Sequence, residues 1–182
     1  MTVDQSAAPT GGPATSHAVH FYGDDEGLIR RLAAFVTDGI VARETCAVIA
    51  TPAHRTALQA QLRADGISPR PGQLVLLDAA ETLQRFMRSG HPDPALFDST
   101  VGAVMRSAAG KAPGVRAFGE MVAVLWRYGN VVGALELEEL WSDLQTRVAF
   151  PLLCAYPSAD ERLHEGDGLA EICARHTERM WD

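Results

Sequence analysis

The chain has 182 residues, of which 47% are hydrophobic and 21% charged, and a formal net charge of -7. That length holds one domain with a substantial core and is short for two. The acidic balance disfavours nonspecific binding to nucleic acid or to anionic membranes, and the single lysine, Lys111, removes the usual residue for a Schiff base or a Walker-type phosphate contact.

Residues 1–15 are rich in Ala, Pro, Gly, Ser and Thr and read as a disordered tail, with one domain following over 16–182. Neither a charged n-region nor an apolar h-region is present there. No apolar run approaches the ~20 residues of a membrane span. Cys46, Cys154 and Cys173 lie far apart with no CxxC pair, which fits a reducing cytoplasm.

Strand and helix signals alternate along the rest of the chain, predicting an α/β sandwich with a mostly parallel sheet covered on both faces. The first strand is predicted at 17–22, followed by an acidic turn, Gly23-Asp24-Asp25-Glu26, that opens a helix to about Arg43. A strand at 45–50 ends in Thr51-Pro52, and a helix follows to about Asp65. A third strand at 74–77 closes on Asp78. Helices are predicted at 80–87 and 94–109, separated by Gly90-His91-Pro92-Asp93-Pro94. A fourth strand spans 115–120. The stretch 121–130 reads as either a packed loop or a short helix. A helix at 131–147, a fifth strand at 151–156 and a final amphipathic helix at 168–179 complete the series.

The junction after the first strand is where a nucleotide-binding protein carries its phosphate loop. Here it has no lysine, no run of glycines and three carboxylates, which repel a triphosphate. Capping and dipole compensation account for those acids. Ligands in open parallel sheets bind at the carboxyl ends of the strands, which places Phe21, Tyr22, Thr51, Asp78, Glu120 and Tyr156 around a site for a small, neutral or cationic, partly apolar molecule. Phe21 and Tyr22 could equally fill core, and Trp126 and Trp141 could line the site or pack. A binding domain predicts one enclosed pocket bounded by Tyr22, Glu120 and Tyr156.

His17 and His20 are three apart on a strand, so their imidazoles point to opposite faces and share no metal. His54, His91, His164 and His176 fall on expected loops or exposed helix faces. The Glu136, Glu138 and Glu139 group reads as a mostly solvated face. No GxSxG, HExxH or CxxC is present, so no catalytic constellation, no metal and no cofactor is expected, and the chain reads as not an enzyme.

The run from His17 to Thr51, with Gly72-Gln73-Leu74, Phe118-Gly119-Glu120-Met121, the Leu-Glu-Glu-Leu-Trp helix and Leu153-Cys154-Ala155-Tyr156, resembles the MEDS family of methanogen/methylotroph DcmR-type sensory domains over about residues 16–157. The resemblance implies a RecA/KaiC-like core of five strands in the order 5-1-4-3-2, without a Walker A loop. It implies a cytoplasmic sensory domain for a small, hydrocarbon-derived ligand, with His17, Phe21 and Tyr22 on the family's first-strand motif and Glu120 near the second acidic position of a RecA-like ATPase. With Trp126 and Tyr156 added from the residue reading above, these are the expected ligand-binding residues. Val19 stands where the family motif has Cys, and Ser142 where Asn is common. With no attached output domain, the signal would pass through a partner protein or an oligomer, without nucleic acid or membrane. The alternative is a ligand-free, degenerate ATPase-fold scaffold for protein interaction.

Overall fold

The computed structural model describes residues 15–164 and 167–182. The expectation of a disordered tail falls on residues 1–14, outside the described residues, and the His164 side chain also lies outside them. Six strands form one parallel sheet: β1 (His17–Tyr22), β2 (Thr45–Ala50), β3 (Leu74–Asp78), β6 (Val115–Gly119), β7 (Leu152–Pro157) and β8 (Glu178–Trp181). A two-strand ribbon, β4 (Met87–Arg88) and β5 (His91–Pro92), turns through Ser89 and Gly90, both at positive φ.

Helices cover both faces, as near-continuously apolar parallel strands require. On one face lie α1 (Asp25–Val41) and α2 (Pro52–Ala64), packed through Leu28, Leu32, Val36, Leu58 and Leu62. On the other lie α3 (Ala79–Phe86), α4 (Pro94–Phe97) with α5 (Ala103–Ala109), α6 (Met121–Arg127), α7 (Val131–Arg147) and α9 (Gly168–Ala174), packed around Phe86, Phe97, Trp126, Trp141 and Phe150. A π-helical turn, Asp98–Gly102, joins α4 to α5, so the predicted 94–109 helix is one rod with a local bulge. The ambiguous stretch after β6 is helical. Helix α8 (Glu161–His164) is a single turn.

The spatial order is β3-β2-β6-β7-β1-β8, with six strands rather than five. The expected 5-1-4-3-2 order is therefore corrected: β3 lies at an edge, and β7 sits between β6 and β1. The sixth strand begins within the last two residues of the expected final helix, which stops at Ala174, and runs on to Trp181. Strand pairing overrides the helical pattern there, because Thr177 bonds the main chain of His17 through both its N–H and its hydroxyl. Beyond it, Trp181 stacks on Phe21 at 4.2 Å. With β3 left out, the remaining five strands renumbered in chain order run 5-1-4-3-2. None of the described helices is long and apolar enough to cross a membrane.

Packing against the first sheet face is tight at Gly39 of α1. A Cβ there would lie 2.6 Å from both Arg116 Nε and Cys46 Sγ. Arg116 is buried on β6, donating to Glu44 at 2.6 Å and to the Phe35 carbonyl at 2.7 Å. In an open helix, Gly→Ala stabilises by about 1 kcal/mol. Gly39→Ala is expected to reverse that sign and lose about 1–3 kcal/mol by overpacking. A denaturant midpoint above that of wild type would contradict the packing described.

Candidate functional site

Strand β2 leads outward to β3 through α2 on one face. Strand β6 leads the opposite way to β7 through α6 and α7 on the other. Chain direction therefore reverses between the carboxyl ends of β2 and β6, the point where open α/β sheets bind ligands. Glu120, the first residue after β6, is 1% exposed at that point. Its Oε2 accepts from the Thr51 N–H at 2.8 Å and its Oε1 lies 2.8 Å from His54 Nδ1.

His54 is held in the first turn of α2 by the Thr51 cap and by Pro52 at the helix start. Its Nε2 lies 3.3 Å from the carboxylate of Asp25, an exposed residue in the first turn of α1. The bond to Glu120 raises the pKa of His54 above the ordinary 6.5 against the opposing effect of burial, and Asp25 adds to the rise. Tyr22 ends β1 with its ring edge-on to His54 at 6.5 Å between centroids. Its buried hydroxyl makes no hydrogen bond of standard geometry, although the Arg127 side chain lies close enough to interact with it. Burial pushes the phenol up to about 12, with Glu120 adding to the rise and Arg127 opposing it.

The group of side chains at this switch point thus offers a neutral phenol, an imidazole between two carboxylates and no phosphate cradle. Asp24 caps α1 by accepting from the Gly27 N–H at 2.7 Å, and Glu26 pairs with Arg30 at 2.6 Å. Those contacts match the capping and dipole reading of the acidic turn.

The six residues named from sequence do not assemble around one space. Tyr22 and Glu120 lie near one another at the switch point, whereas His17, Phe21, Trp126 and Tyr156 belong to the opposite face. Phe21 is the register partner of Tyr156, so the alternation of β1 places Tyr22 across the sheet from both. Aromatic packing fills that second face: Phe21 lies 6.2 Å and Trp126 5.7 Å from Tyr156 between centroids. The single pocket expected between Tyr22, Glu120 and Tyr156 is corrected accordingly. A separate cavity of about 90 Å³ lies near the amino ends of β1, β7 and β8, lined by Ala18, Ala34, Phe35, Leu153 and Met180 among others.

On the aromatic face a buried polar cluster forms around Glu138 of α7, which is fully buried, while Glu136 is half-buried and Glu139 exposed. Its Oε1 accepts from the Tyr156 hydroxyl at 2.7 Å. Its Oε2 accepts from the Cys154 thiol at 3.3 Å and lies 3.2 Å from His17 Nε2. His176, between α9 and β8, places Nε2 3.5 Å from Oε1. Burial alone would push the Glu138 carboxyl up; His176, His17 and the Tyr156 hydroxyl outweigh it and hold the group below its ordinary value. Burial lowers the pKa of His176, and burial with Glu138 raises Cys154 and Tyr156 well above their ordinary ranges.

Three assignments made from sequence change. His54 and His176 are buried rather than solvated, and Glu138 is not on the solvated face of its helix. The signals were present: His54, Leu58 and Leu62 share one α2 stripe, and Ala134, Leu137, Glu138 and Trp141 share the buried side of α7. His17 and His20 diverge as the strand period requires. His17 joins the Glu138 cluster and His20 bonds Asp182 at 2.8 Å. Val19 lacks the thiol of the family motif, but its register partner is Cys154.

No match was found among curated proteins. The family profile described as MEthanogen/methylotroph, DcmR Sensory domain matches residues 16–177, which includes both polar groups described above. The chain belongs to the MEDS family of sensory domains.

Proposed function

We propose that this domain senses a small, neutral or cationic, partly apolar molecule at the Tyr22–His54–Glu120 crevice. The observation that carries this reading is the buried Tyr22 hydroxyl, which makes no hydrogen bond of standard geometry despite the nearby Arg127 side chain, beside a buried His54–Glu120 pair at the point where chain direction reverses. Burying a hydroxyl without a hydrogen bond costs about 1–3 kcal/mol, and a ligand oxygen or amine would recover it. Both tips of the pair are covered, with only Asp25 exposed at the rim, so binding requires His54 to swing from the 3.3 Å contact with Asp25. That swing would carry the signal into the first turns of α1 and α2.

A RecA/KaiC-like ancestry is part of the same proposal. Its support is the 5-1-4-3-2 order that remains when the edge strand β3 is set aside, together with a first loop whose acids oppose phosphate. Ligand binding then takes the place of nucleotide hydrolysis. The scaffold alternative draws support from Tyr128 and Val132, which are 83% and 57% exposed around the α6–α7 turn. In the sensory reading the same apolar pair serves as the surface for a signalling partner.

The test is a thermal-shift screen of short alcohols and methylamines against wild type and Tyr22→Phe. Deleting a hydroxyl that makes no hydrogen bond of standard geometry leaves stability unchanged or slightly higher. It is expected to abolish the ligand-induced shift. A ligand that stabilises both proteins equally would place the site elsewhere, with the amino-end cavity as the first alternative.

A further inference from the structure

We propose that His17, Glu138, Cys154 and His176 form a buried site for a divalent transition-metal ion of the zinc type. The four residues come from β1, α7, β7 and the α9–β8 link, so no local spacing motif announces them. All four are buried, and one ligating atom from each lies within 4.8 Å of every other.

Hydrogen-bond accounting argues for a cation between them. His176 Nδ1 donates to the Ile172 carbonyl at 2.7 Å, which leaves Nε2 as a lone pair facing the cluster without a hydrogen-bond partner. The Ser142 hydroxyl donates to the Glu138 carbonyl at 3.0 Å, so its oxygen is free to accept from His17 Nδ1 at 3.4 Å. In that tautomer His17 Nε2 also presents a lone pair, 3.2 Å from a carboxylate oxygen; in the other tautomer the same nitrogen carries a proton and donates to Glu138. Two imidazole lone pairs aimed at one carboxylate repel unless protons or a metal ion stand between. Protonating both rings would place two cations in a dry site with centroids 4.2 Å apart. A single divalent ion removes both conflicts.

The spacing agrees. Metal–ligand distances of about 2.0–2.3 Å in a tetrahedral zinc site give ligand–ligand edges of about 3.3–3.6 Å. His17 Nε2, Cys154 Sγ and Glu138 Oε2 are separated by 3.6, 3.2 and 3.3 Å. Binding releases the thiol proton to solvent, after which thiolate and carboxylate neutralise the dication. Two imidazoles and a thiolate select a zinc-like ion over magnesium or calcium. Each imidazole has an outer hydrogen-bond partner, Ser142 or the Ile172 carbonyl, and Tyr156 orients the carboxylate, the support that ligating groups require. Because Thr177 is tied to the main chain of His17, the ion would pin edge strand β8 to β1 and α7. This inference is independent of the Tyr22 crevice, which lies across the sheet.

Tag-free full-length protein stripped by chelation is titrated with Co²⁺ and then with Zn²⁺. One equivalent is expected, with the strong visible bands of a four-coordinate ion and a thiolate charge-transfer band that Cys154→Ser removes. Ser142→Ala touches no ion and should weaken zinc binding about 10-fold. X-ray absorption on zinc-loaded wild type needs no variant to fold and should show one sulfur at about 2.3 Å with N/O ligands at about 2.0 Å. Uptake far below one equivalent by folded protein, or a shell of N/O ligands alone, would overturn the site.

Discussion

Glu120→Ala is expected to destabilise the domain by about 3–5 kcal/mol, because it leaves a buried imidazole and a buried main-chain N–H without their acceptor. The carboxylate is 1% exposed, and its two oxygens are occupied by Thr51 and His54 at 2.8 Å each. Glu120→Gln keeps an acceptor and should cost less. It also isolates a pH effect. The folded-state pKa of His54 is raised, chiefly by the bond to Glu120. Its contribution is complete below the unfolded value of about 6.5 and is lost as pH rises through the higher folded value. Around His54 the charged and titratable groups are Glu120 beyond β6, Asp25 on α1 and Tyr22 on β1, with Arg127 near Tyr22. The difference in unfolding free energy between wild type and Glu120→Gln should therefore shrink with rising pH from about 6.5 upward. A difference independent of pH across that range would sink the charge-pair description.

Trp141→Ala carries an effect of similar size, about 3–5 kcal/mol, for a different reason. The indole is fully buried, edge-on to Phe97 at 5.5 Å and Phe150 at 6.1 Å between centroids. Gly119 lies directly against it, since a Cβ there would sit 3.4 Å from the ring. Trp141 thus locks α7 onto the end of β6 and fixes the residue before Glu120. Truncation leaves a large cavity that the parallel strands cannot close. A loss under about 1 kcal/mol in urea unfolding would show that α7 is not held by this contact.

Most of the sheet was legible because its strands are short apolar runs bounded by Gly, Pro and caps. β1 and β2 begin and end where the pattern places them. Spatial order was not legible, since nothing in the segment 74–78 says that it pairs only with β2 at an edge. The last strand escaped because Glu178–Trp181 is four residues long and follows a helix with a continuous amphipathic pattern. It is set by long-range contacts to β1, which a local window does not contain. At the crevice, Tyr22 and Glu120 could be named from the strand-end rule alone. His54 required reading α2 as a stripe in which a histidine takes the place of a leucine. Glu138 posed the same problem in α7, where the surrounding glutamates suggested solvent. Its partners lie 16 to 121 positions away in sequence, at Cys154 and His17.

Native mass spectrometry of tag-free protein purified from its source cells tests the sensory reading most directly. The account predicts a retained small molecule on wild type that is absent from Tyr22→Phe. A metal adduct would instead respond to Cys154→Ser and survive Tyr22→Phe, so the two sites are read separately. Equal small-molecule occupancy of wild type and Tyr22→Phe, or none on either while the thermal-shift screen also finds no ligand, would contradict sensing at the Tyr22–His54–Glu120 crevice.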